Sequence, residues 1–494
     1  MKRLSSYLHR WLGNPLAQLV LIGSLTWLAY LDLTLTYPLK PLVEKYPLTD
    51  FGRANNWSQL SLADFLLAIL GAFGLYLIAW WILARHPRDR RLLLVVVAFA
   101  ILFGVTLLAM YPISATDIFE YVFHSRILVH YGQNPLAVPP MAFRGDPFLK
   151  TVNWARHPSP YGPLWVLLTV PGSLVAGDDL ILNLVLMKGL SVLFFAGCVL
   201  MIAAILRHKN REQQVVGTLL FAWNPLVLFE APGNGHNGII MMLFALMAVY
   251  FLVRRQWLWV IPALVASVMV KYITAILLAP FLIYCWLQND RTARGRFLVK
   301  TGVITAVFVG TIILPFLQVP QGLLEEANFY SALAIPSLAY NFLKGLHGDV
   351  IAKIVTIGVC VVSYLIVYAL SVRGMTRVDR PRQLIALCTW LVVAYLGIAC
   401  MHFQPWFAIW PIALGIWVDH PLVRRVLVVF TLSALLSYAA NFVWIWNYKA
   451  WQILHVNAMF VAVVFAPPLM VGLASHTKLA QWLRARARVA AAQP

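Results

Sequence analysis

The chain has 494 residues, of which 61% are hydrophobic and 11% are charged, and its formal net charge is +20. A soluble domain carries about 25% charged residues, so this composition excludes a water-soluble globular protein. The basic residues cluster in short links between apolar runs, which is typical of cytoplasmic loops and not of a nucleic-acid groove lined with stacking aromatics. The five cysteines show no CxxC spacing and predict neither a disulfide framework nor a zinc site.

Apolar runs long enough to cross a hydrocarbon layer of about 30 Å recur along the whole chain. They predict an all-α polytopic membrane protein, a single integral domain over 1–494 with about 12 to 14 transmembrane helices. No small-residue cleavage site follows the first run, so we interpret it as a spanning helix and not as a removed signal peptide. The predicted spans are 15–36, 61–84, 92–112, 179–206, 214–231, 237–253, 258–287, 298–318, 350–372, 383–401, 403–418, 424–441 and 454–474.

Placing each basic link on the cytoplasmic side predicts a multi-pass protein of the cell membrane with both termini in the cytoplasm. This orientation leaves two large outward loops, a candidate catalytic loop at 112–162 and a second loop at 319–349. The run 258–287 is too long for one span and carries Lys271 near its middle, so we expect a helical hairpin or a sharply bent pair there. The run 162–177 is too short to cross comfortably and is expected to be re-entrant or tilted.

The first outward loop starts with a predicted helix, whose beginning is indicated by Ser114 followed by Asp117. At about 100° per residue, polar side chains share one face of this helix and apolar side chains share the other. The pattern predicts an amphipathic helix that lies on the membrane, with Arg126 within reach of a lipid phosphate. The alternative is an ordinary solvated polar face, although acidic residues are scarce in this chain. The residues of the polar face are Asp117, Glu120, Tyr121 and His124.

Further polar groups in apolar surroundings are candidates for a binding site. The turn at 233–237 could bind a sugar hydroxyl or a phosphate, although a tight turn between helices needs only its glycines. A lysine inside the membrane, such as Lys271, costs at least about 2.5–3.5 kcal/mol and usually has an anionic partner. A donor phosphate would suit it, and snorkelling to the headgroups is the alternative. His402 and Gln404 precede Trp406, and an interfacial aromatic belt would explain the tryptophan alone.

Several short motifs then carry a resemblance to a known family. In chain order, they resemble the motifs of multi-spanning GT-C glycosyltransferases, in particular the bacterial polyprenyl-phosphate-mannose-dependent mannosyltransferases, over about residues 90–410. The motifs are Asp117-Ile-Phe-Glu-Tyr, Gly132-Gln-Asn-Pro, Ser159-Pro-Tyr-Gly-Pro, Trp223-Asn-Pro, Gly233-Asn-Gly-His-Asn, Val270-Lys-Tyr and Phe403-Gln-Pro-Trp.

The resemblance implies an inverting transfer of a sugar, expected to be mannose, from a polyprenyl-phosphate donor to a hydroxyl of a glycan or glycolipid at the outer membrane face. Asp117 matches the acidic general base of that family, and Glu120 would position the acceptor or tune Asp117. Lys271, with Arg126 or Arg156, would stabilise the departing phosphate. The predicted substrate-binding residues are Tyr121, His124, Arg126, Asn134, Arg156, His157, Tyr161, Asn234, His236, Asn237, Lys271, Tyr272, His402, Gln404 and Trp406.

Neither a cofactor nor a metal is expected, because a phosphate leaving group can be neutralised by lysine or arginine. A metal bound by Asp117, Glu120 and His124 is the alternative. The expected partners are the lipid-linked donor, the acceptor and membrane lipids, without nucleic acid. A transporter or flippase for a lipid-linked sugar is the rival function, but such proteins often carry paired broken helices, and the chain shows a single bent segment without a counterpart.

Overall fold

The computed structural model describes residues 13–46, 48–86, 89–209, 211–317, 322, 330–418, 420–447 and 453–490. Within these ranges the chain is built from helices, and an isolated bridge pairs Pro38 with Met110. The prediction of an all-α polytopic membrane protein is confirmed. Apart from Gly322, the stretch 319–329 of the second predicted outward loop lies outside the described residues.

The longer helices are numbered here in chain order, and short helical turns connect several of them. The numbered helices are α1 (Pro15–Thr36), α2 (Gln59–Arg85), α3 (Arg90–Leu107), α4 (Asp117–Val129), α5 (Pro163–Ala176), α6 (Leu180–Arg207), α7 (Arg211–Ala222), α8 (Gly238–Val253), α9 (Trp257–Val268), α10 (Leu278–Gln288), α11 (Arg294–Ile313), α12 (Ile335–His347), α13 (Asp349–Arg373), α14 (Pro381–Ile398), α15 (Ile409–Gly415), α16 (Pro421–Asn447) and α17 (Ile453–Ala490).

Several of these helices begin where a side chain caps the free amides of the first turn. Asn14, Asp89 and Asp179 each accept a hydrogen bond from the backbone N–H of a residue two or three positions on, at the starts of α1, α3 and α6. Proline occupies the first position of α5 and α14, where a helix needs no amide hydrogen and the fixed φ is favourable. These local signals fix where the apolar runs become helices.

Nine helices in the described part of the chain are long and apolar enough to cross a membrane. The number is ten if α7 and the segment Pro225–Gly233, which meet at a bend of 50°, form one span. Shorter apolar helices, including α5, α8 and α9, contribute further membrane-embedded length. The outward faces of α11 and α13 expose aliphatic side chains such as Val303 and Ile354, as a surface in contact with lipid requires.

The helix α4 is enclosed by other parts of the protein. Its residues Ile118–Ile127 are buried on every side, because the segment after α4 and the helices α5 and α6 cover it. The prediction that its apolar face rests on the membrane is therefore wrong. Its polar residues face other parts of the protein and a cavity, not bulk water.

The long run at 258–287 is interrupted, as predicted. Helix α9 ends at Val268, and a short 3₁₀ helix over Tyr272–Leu277 precedes α10. The interruption is fastened to the end of the first loop, where the backbone N–H of Gly162 donates to the carbonyl of Val270 at 3.0 Å. A Cβ atom on Gly162 would come within 2.0 Å of the Met269 carbonyl oxygen, so this close approach requires glycine.

The end of α3 is held in place by a fully buried lysine. The ammonium group of Lys188, on α6, donates to the backbone carbonyls of Leu107 and Met110. Leu107 is the last residue of α3, and Met110 lies three residues beyond it. Lys188 therefore fixes the point from which the chain leaves α3 and enters the loop that carries Asp117.

Candidate active site

Asp117 is the first residue of α4, where a carboxylate is favoured by the helix dipole. Its side chain is 21% exposed, and the phenolic O–H of Tyr161 donates to its Oδ2 atom at 3.3 Å. The predicted capping role of Ser114 is wrong, because Thr116 occupies the capping position and the Ser114 hydroxyl donates to Glu230. Asp117 is thus a partly open carboxylate with a defined orientation.

Residues from distant parts of the sequence line one cavity beside α4. Its empty space, including the open mouth, is about 710 Å³, which lies in the range of pockets that hold small ligands. Many of the residues predicted to bind substrate meet here, together with Trp154, Phe407 and other residues that the motifs did not single out. The predicted residues in its wall are Asp117, Glu120, His124, His157, Tyr161, Lys271, His402 and Trp406.

Glu120 is buried in the floor of this cavity. Its Oε1 atom accepts hydrogen bonds from the backbone N–H groups of Asn153 and Trp154 at 2.7 and 2.8 Å. Its Oε2 atom has no hydrogen-bond partner among the described residues. Burial raises the pKa of Glu120 to about 8, against the opposing effect of the two amides. The side chain therefore carries a proton at neutral pH and can donate it to a ligand in the cavity.

His124 lies one helical turn beyond Glu120 and is also buried. Neither of its ring nitrogens has a hydrogen-bond partner in the described part of the chain, although the residue lines the cavity. Burial lowers the pKa of His124 to about 3, so the ring is neutral. A neutral imidazole offers one donor and one acceptor, which suits a sugar hydroxyl.

Lys271 lies where this cavity meets a second groove, whose wall carries more aliphatic side chains. Its Nζ atom lies 4.8 Å from the ring centre of Phe407, and the rings of Tyr161 and Trp410 are at 5.4 and 5.6 Å. The groove has an empty space of about 1170 Å³, and aliphatic residues such as Ile276 line much of it. Lys271 therefore belongs to both spaces.

A chain of polar groups lies behind Asp117. The Nδ1 atom of His236 is 3.7 Å from Asp117 Oδ2, and its Nε2 atom is 3.3 Å from Glu230 Oε2. The His236 ring stacks on Trp406, with centroids 3.8 Å apart and planes 16° from parallel. Both His236 and Glu230 are almost completely buried, and neither lines the cavity.

The structure does not bring every predicted residue to the cavity. Arg126 is enclosed by two carboxylates, with Asp146 at 2.5 Å and Asp178 at 2.6 Å, so it fastens α4 to the following loop and the start of α6. The proposed contact of Arg126 with a phosphate does not fit this pairing. Arg156 is exposed and lies outside the cavity wall.

The remaining predicted residues lie outside the wall of this cavity. Tyr121 packs edge-on against Tyr161, and the Asn134 side chain accepts a hydrogen bond from a nearby backbone amide. The amide of Gln404 contacts the ring of His402 at 3.2 Å, and Tyr272 lies in the apolar groove. The side chains of Asn234 and Asn237 are buried, and both residues belong to the turn at 233–237.

Sequence reasoning missed Glu230, which is the most deeply buried carboxylate near the site. A signal was present, because Glu230 is an acidic residue near the end of an otherwise apolar run and such residues are rarely without function. It lies in a π-helical turn over Phe229–Gly233, a local widening that often marks functional sites. In the described residues, no group of three or more His, Cys, Asp or Glu side chains is arranged to bind a metal ion.

Comparison with known proteins supports the sequence resemblance. The chain is 24% identical over 376 residues to alpha-(1->6)-mannopyranosyltransferase A of Mycobacterium tuberculosis, which covers 69% of each chain. It is 22% identical over 431 residues to a probable alpha-(1->6)-mannopyranosyltransferase of Mycolicibacterium smegmatis, which covers 76% of this chain and 74% of the relative.

A family model described as alpha-(1->6)-mannopyranosyltransferase, N-terminal domain, matches residues 10–288, a region that contains Asp117, Glu230 and Lys271. The prediction of a glycosyltransferase is confirmed over that of a transporter. Because the match spans more than half of the chain, the protein belongs to the alpha-(1->6)-mannopyranosyltransferase family and is a membrane-embedded mannosyltransferase.

Proposed function

We propose that the protein transfers mannose from a polyprenyl-phosphate donor to a hydroxyl of a glycan or glycolipid at the outer face of the cell membrane, with both termini in the cytoplasm. The names of the relatives support an α-(1→6) bond, so the acceptor group would be a 6-hydroxyl. The observation that carries this proposal is the position of Lys271. It lines the polar cavity together with Asp117, and it also lines the apolar groove.

A polyprenyl-phosphate sugar has an apolar part and a polar part, which match the aliphatic groove and the cavity that contains Asp117. Its isoprenoid chain is apolar and favours an aliphatic groove open toward lipid, whereas its sugar and phosphate need polar partners. A cation at the junction lies where the phosphate of such a donor would be. Surrounding rings lower the local dielectric constant, which strengthens the attraction between the Lys271 ammonium group and a phosphate.

Asp117 would act as the general base. The acceptor oxygen attacks the anomeric carbon while Asp117 accepts its proton, and the bond from that carbon to the phosphate oxygen breaks with its electron pair leaving on the phosphate. Lys271 would stabilise the charge that develops there. A single displacement of this kind inverts the anomeric centre and gives an α-linkage from a β-linked donor.

Glu120 and His124 would hold sugar hydroxyls on the same side of the cavity. The protonated carboxyl of Glu120 can donate from Oε2, and the neutral ring of His124 can both donate and accept. A buried polar atom without a partner costs about 1–3 kcal/mol, which a bound hydroxyl would remove. These residues therefore favour binding of an uncharged polyol in the cavity.

The donor assignment is tested with purified protein, an α-mannoside acceptor and two donors, synthetic polyprenyl-phosphate mannose and a nucleotide-linked mannose. We expect transfer from the lipid-linked donor alone and an α-(1→6) product by NMR. Use of the nucleotide sugar at a similar rate, or a β-linked product, would contradict the proposal. Asp290→Asn, at an exposed residue that does not line the cavity, is the control and should keep the wild-type rate of transfer.

A further inference from the structure

Glu230 is a buried carboxylate that receives hydrogen bonds from three separate parts of the chain. The Ser114 hydroxyl and the Asn234 amide donate to its Oε2 atom at 3.1 and 3.3 Å, and the Tyr438 hydroxyl donates to Oε1 at 2.7 Å. Burial of a carboxylate is costly unless it is well paired. In the described residues, the basic group within 4.0 Å of Glu230 is the imidazole of His236.

His236 is held between Glu230 and Asp117 by more than these two contacts. Its ring lies flat against Trp406, which fixes the plane of the imidazole. The turn that carries it needs Gly235, which has a φ of +78° and lies so close to α4 that an added Cβ would be 2.6 Å from Ile118. The ring is 1% exposed and outside the cavity wall, so it does not reach substrate.

We propose that His236 is the positioning residue of Asp117 and that Glu230 holds His236 in place as its ion-pair partner on the other side of the ring. This inference rests on the proposed role of Asp117 as the base. A carboxylate oxygen faces each ring nitrogen at the distance of an ion pair, and both contacts are attractive when each nitrogen carries its proton. Tyr161 and His236 both contact Oδ2 of Asp117, so Oδ1 is the oxygen left to accept the proton of the acceptor hydroxyl.

The positioning role differs from the sugar-binding role first predicted for His236. A residue that binds donor changes KM, whereas a residue that orients the base changes kcat, because substrate still binds when the base is misaligned. Misplacement of a reacting group by about 1 Å can cost about 10²-fold in rate. We therefore expect His236→Gln to lower kcat by about 10- to 100-fold with the KM for donor changed by less than about threefold.

Kinetics of single and double variants test the inference. In an Asp117→Asn background, His236→Gln should cause no further loss beyond about twofold, because the group that it positions is already gone. Glu230→Gln, which keeps the size of the side chain but removes its charge, should resemble His236→Gln, and the two together should be no worse than the more severe single variant. His208→Gln, at the exposed end of α6, is the matched control and should keep wild-type kcat.

Two results would overturn the inference. One is a double variant in which the losses of kcat from His236→Gln and Asp117→Asn multiply, and the other is a wild-type kcat in His236→Gln. The ¹⁵N spectrum of His236 gives a readout that does not require transfer. In ¹⁵N-histidine-labelled protein, with the signal assigned by its absence in His236→Gln, both ring nitrogens should carry a proton and Glu230→Gln should alter the chemical shift of Nε2. A ring nitrogen without a proton would refute the pairing of His236 with the two carboxylates, whereas a wild-type protein that transfers no mannose from the lipid-linked donor would refute only the proposed function.

Discussion

Replacement of Glu120 by glutamine removes an ionisable carboxyl from a buried position while keeping its size and the oxygen that accepts two backbone amides. The pKa of Glu120 rises from an ordinary 4.5 to about 8, mainly because burial disfavours the charged form. At about 1.4 kcal/mol for each pH unit, this difference corresponds to about 5 kcal/mol that favours the protonated side chain in the folded protein. Glutamine does not titrate, so it is free of this effect.

The sign of the pH dependence follows from linkage between proton binding and folding. An acid whose pKa is higher in the folded protein than in the unfolded chain stabilises the fold at a pH below its unfolded-state pKa. This contribution is lost as the pH rises through its folded-state pKa. The window for Glu120 runs from about 4.5 to about 8. Relative to Glu120→Gln, the wild type should therefore lose up to about 5 kcal/mol of stability across this range.

Thermal unfolding in detergent at pH 5, 7 and 9 measures this difference. The melting temperature of Glu120→Gln should be near that of the wild type at pH 5 and clearly higher at pH 9. Glu44→Gln is the control, because that carboxylate is 62% exposed in a pair with Lys40 and should show no such divergence. Parallel melting curves of Glu120→Gln and the wild type from pH 5 to pH 9 would refute the burial argument.

Other predictions address the donor, the close approach of two loops and the topology. Lys271→Met should raise the KM for the lipid-linked donor about 10- to 100-fold in initial-rate measurements. Lys271→Arg should recover part of this loss, because it restores the charge with a different geometry. An unchanged KM in Lys271→Met would exclude a contact between Lys271 and the donor phosphate. Gly162→Ala should lower the melting temperature, because its Cβ would meet the Met269 carbonyl, whereas Gly145→Ala, with open space around it, should not. A cysteine at Gln133 in a cysteine-free background should react with an impermeant reagent added to intact cells, and labelling only after permeabilisation would reverse the predicted orientation.

The sequence allowed the membrane fold and much of the cavity wall to be predicted, because membrane insertion makes polar residues in apolar runs conspicuous. Lys271 was such a residue, and it lies at the junction of the two cavities. The helical periodicity at the start of the first loop also predicted that Asp117, Glu120 and His124 lie on one face of a helix. All three line the same cavity.

The periodicity of a helix does not show which other segments of the chain pack against it. The surface position expected for α4 was wrong because the later segment around Asn153 and Trp154 folds over Glu120, which makes Glu120 a buried link and not a solvated acid. Glu230 was missed because its partners Ser114 and Tyr438 are 116 and 208 residues away in the chain.

The measurement that tests the central proposal most directly is the rate of mannose transfer by Asp117→Asn. Asparagine keeps the size of the side chain but cannot accept the acceptor proton, so kcat should fall about 10²- to 10⁴-fold. Because Asp117 is partly exposed and makes few contacts, the melting temperature should stay near that of the wild type. Wild-type transfer by a well-folded Asp117→Asn protein would contradict the assignment of the base, and loss of activity in Glu120→Gln alone would move that role to Glu120.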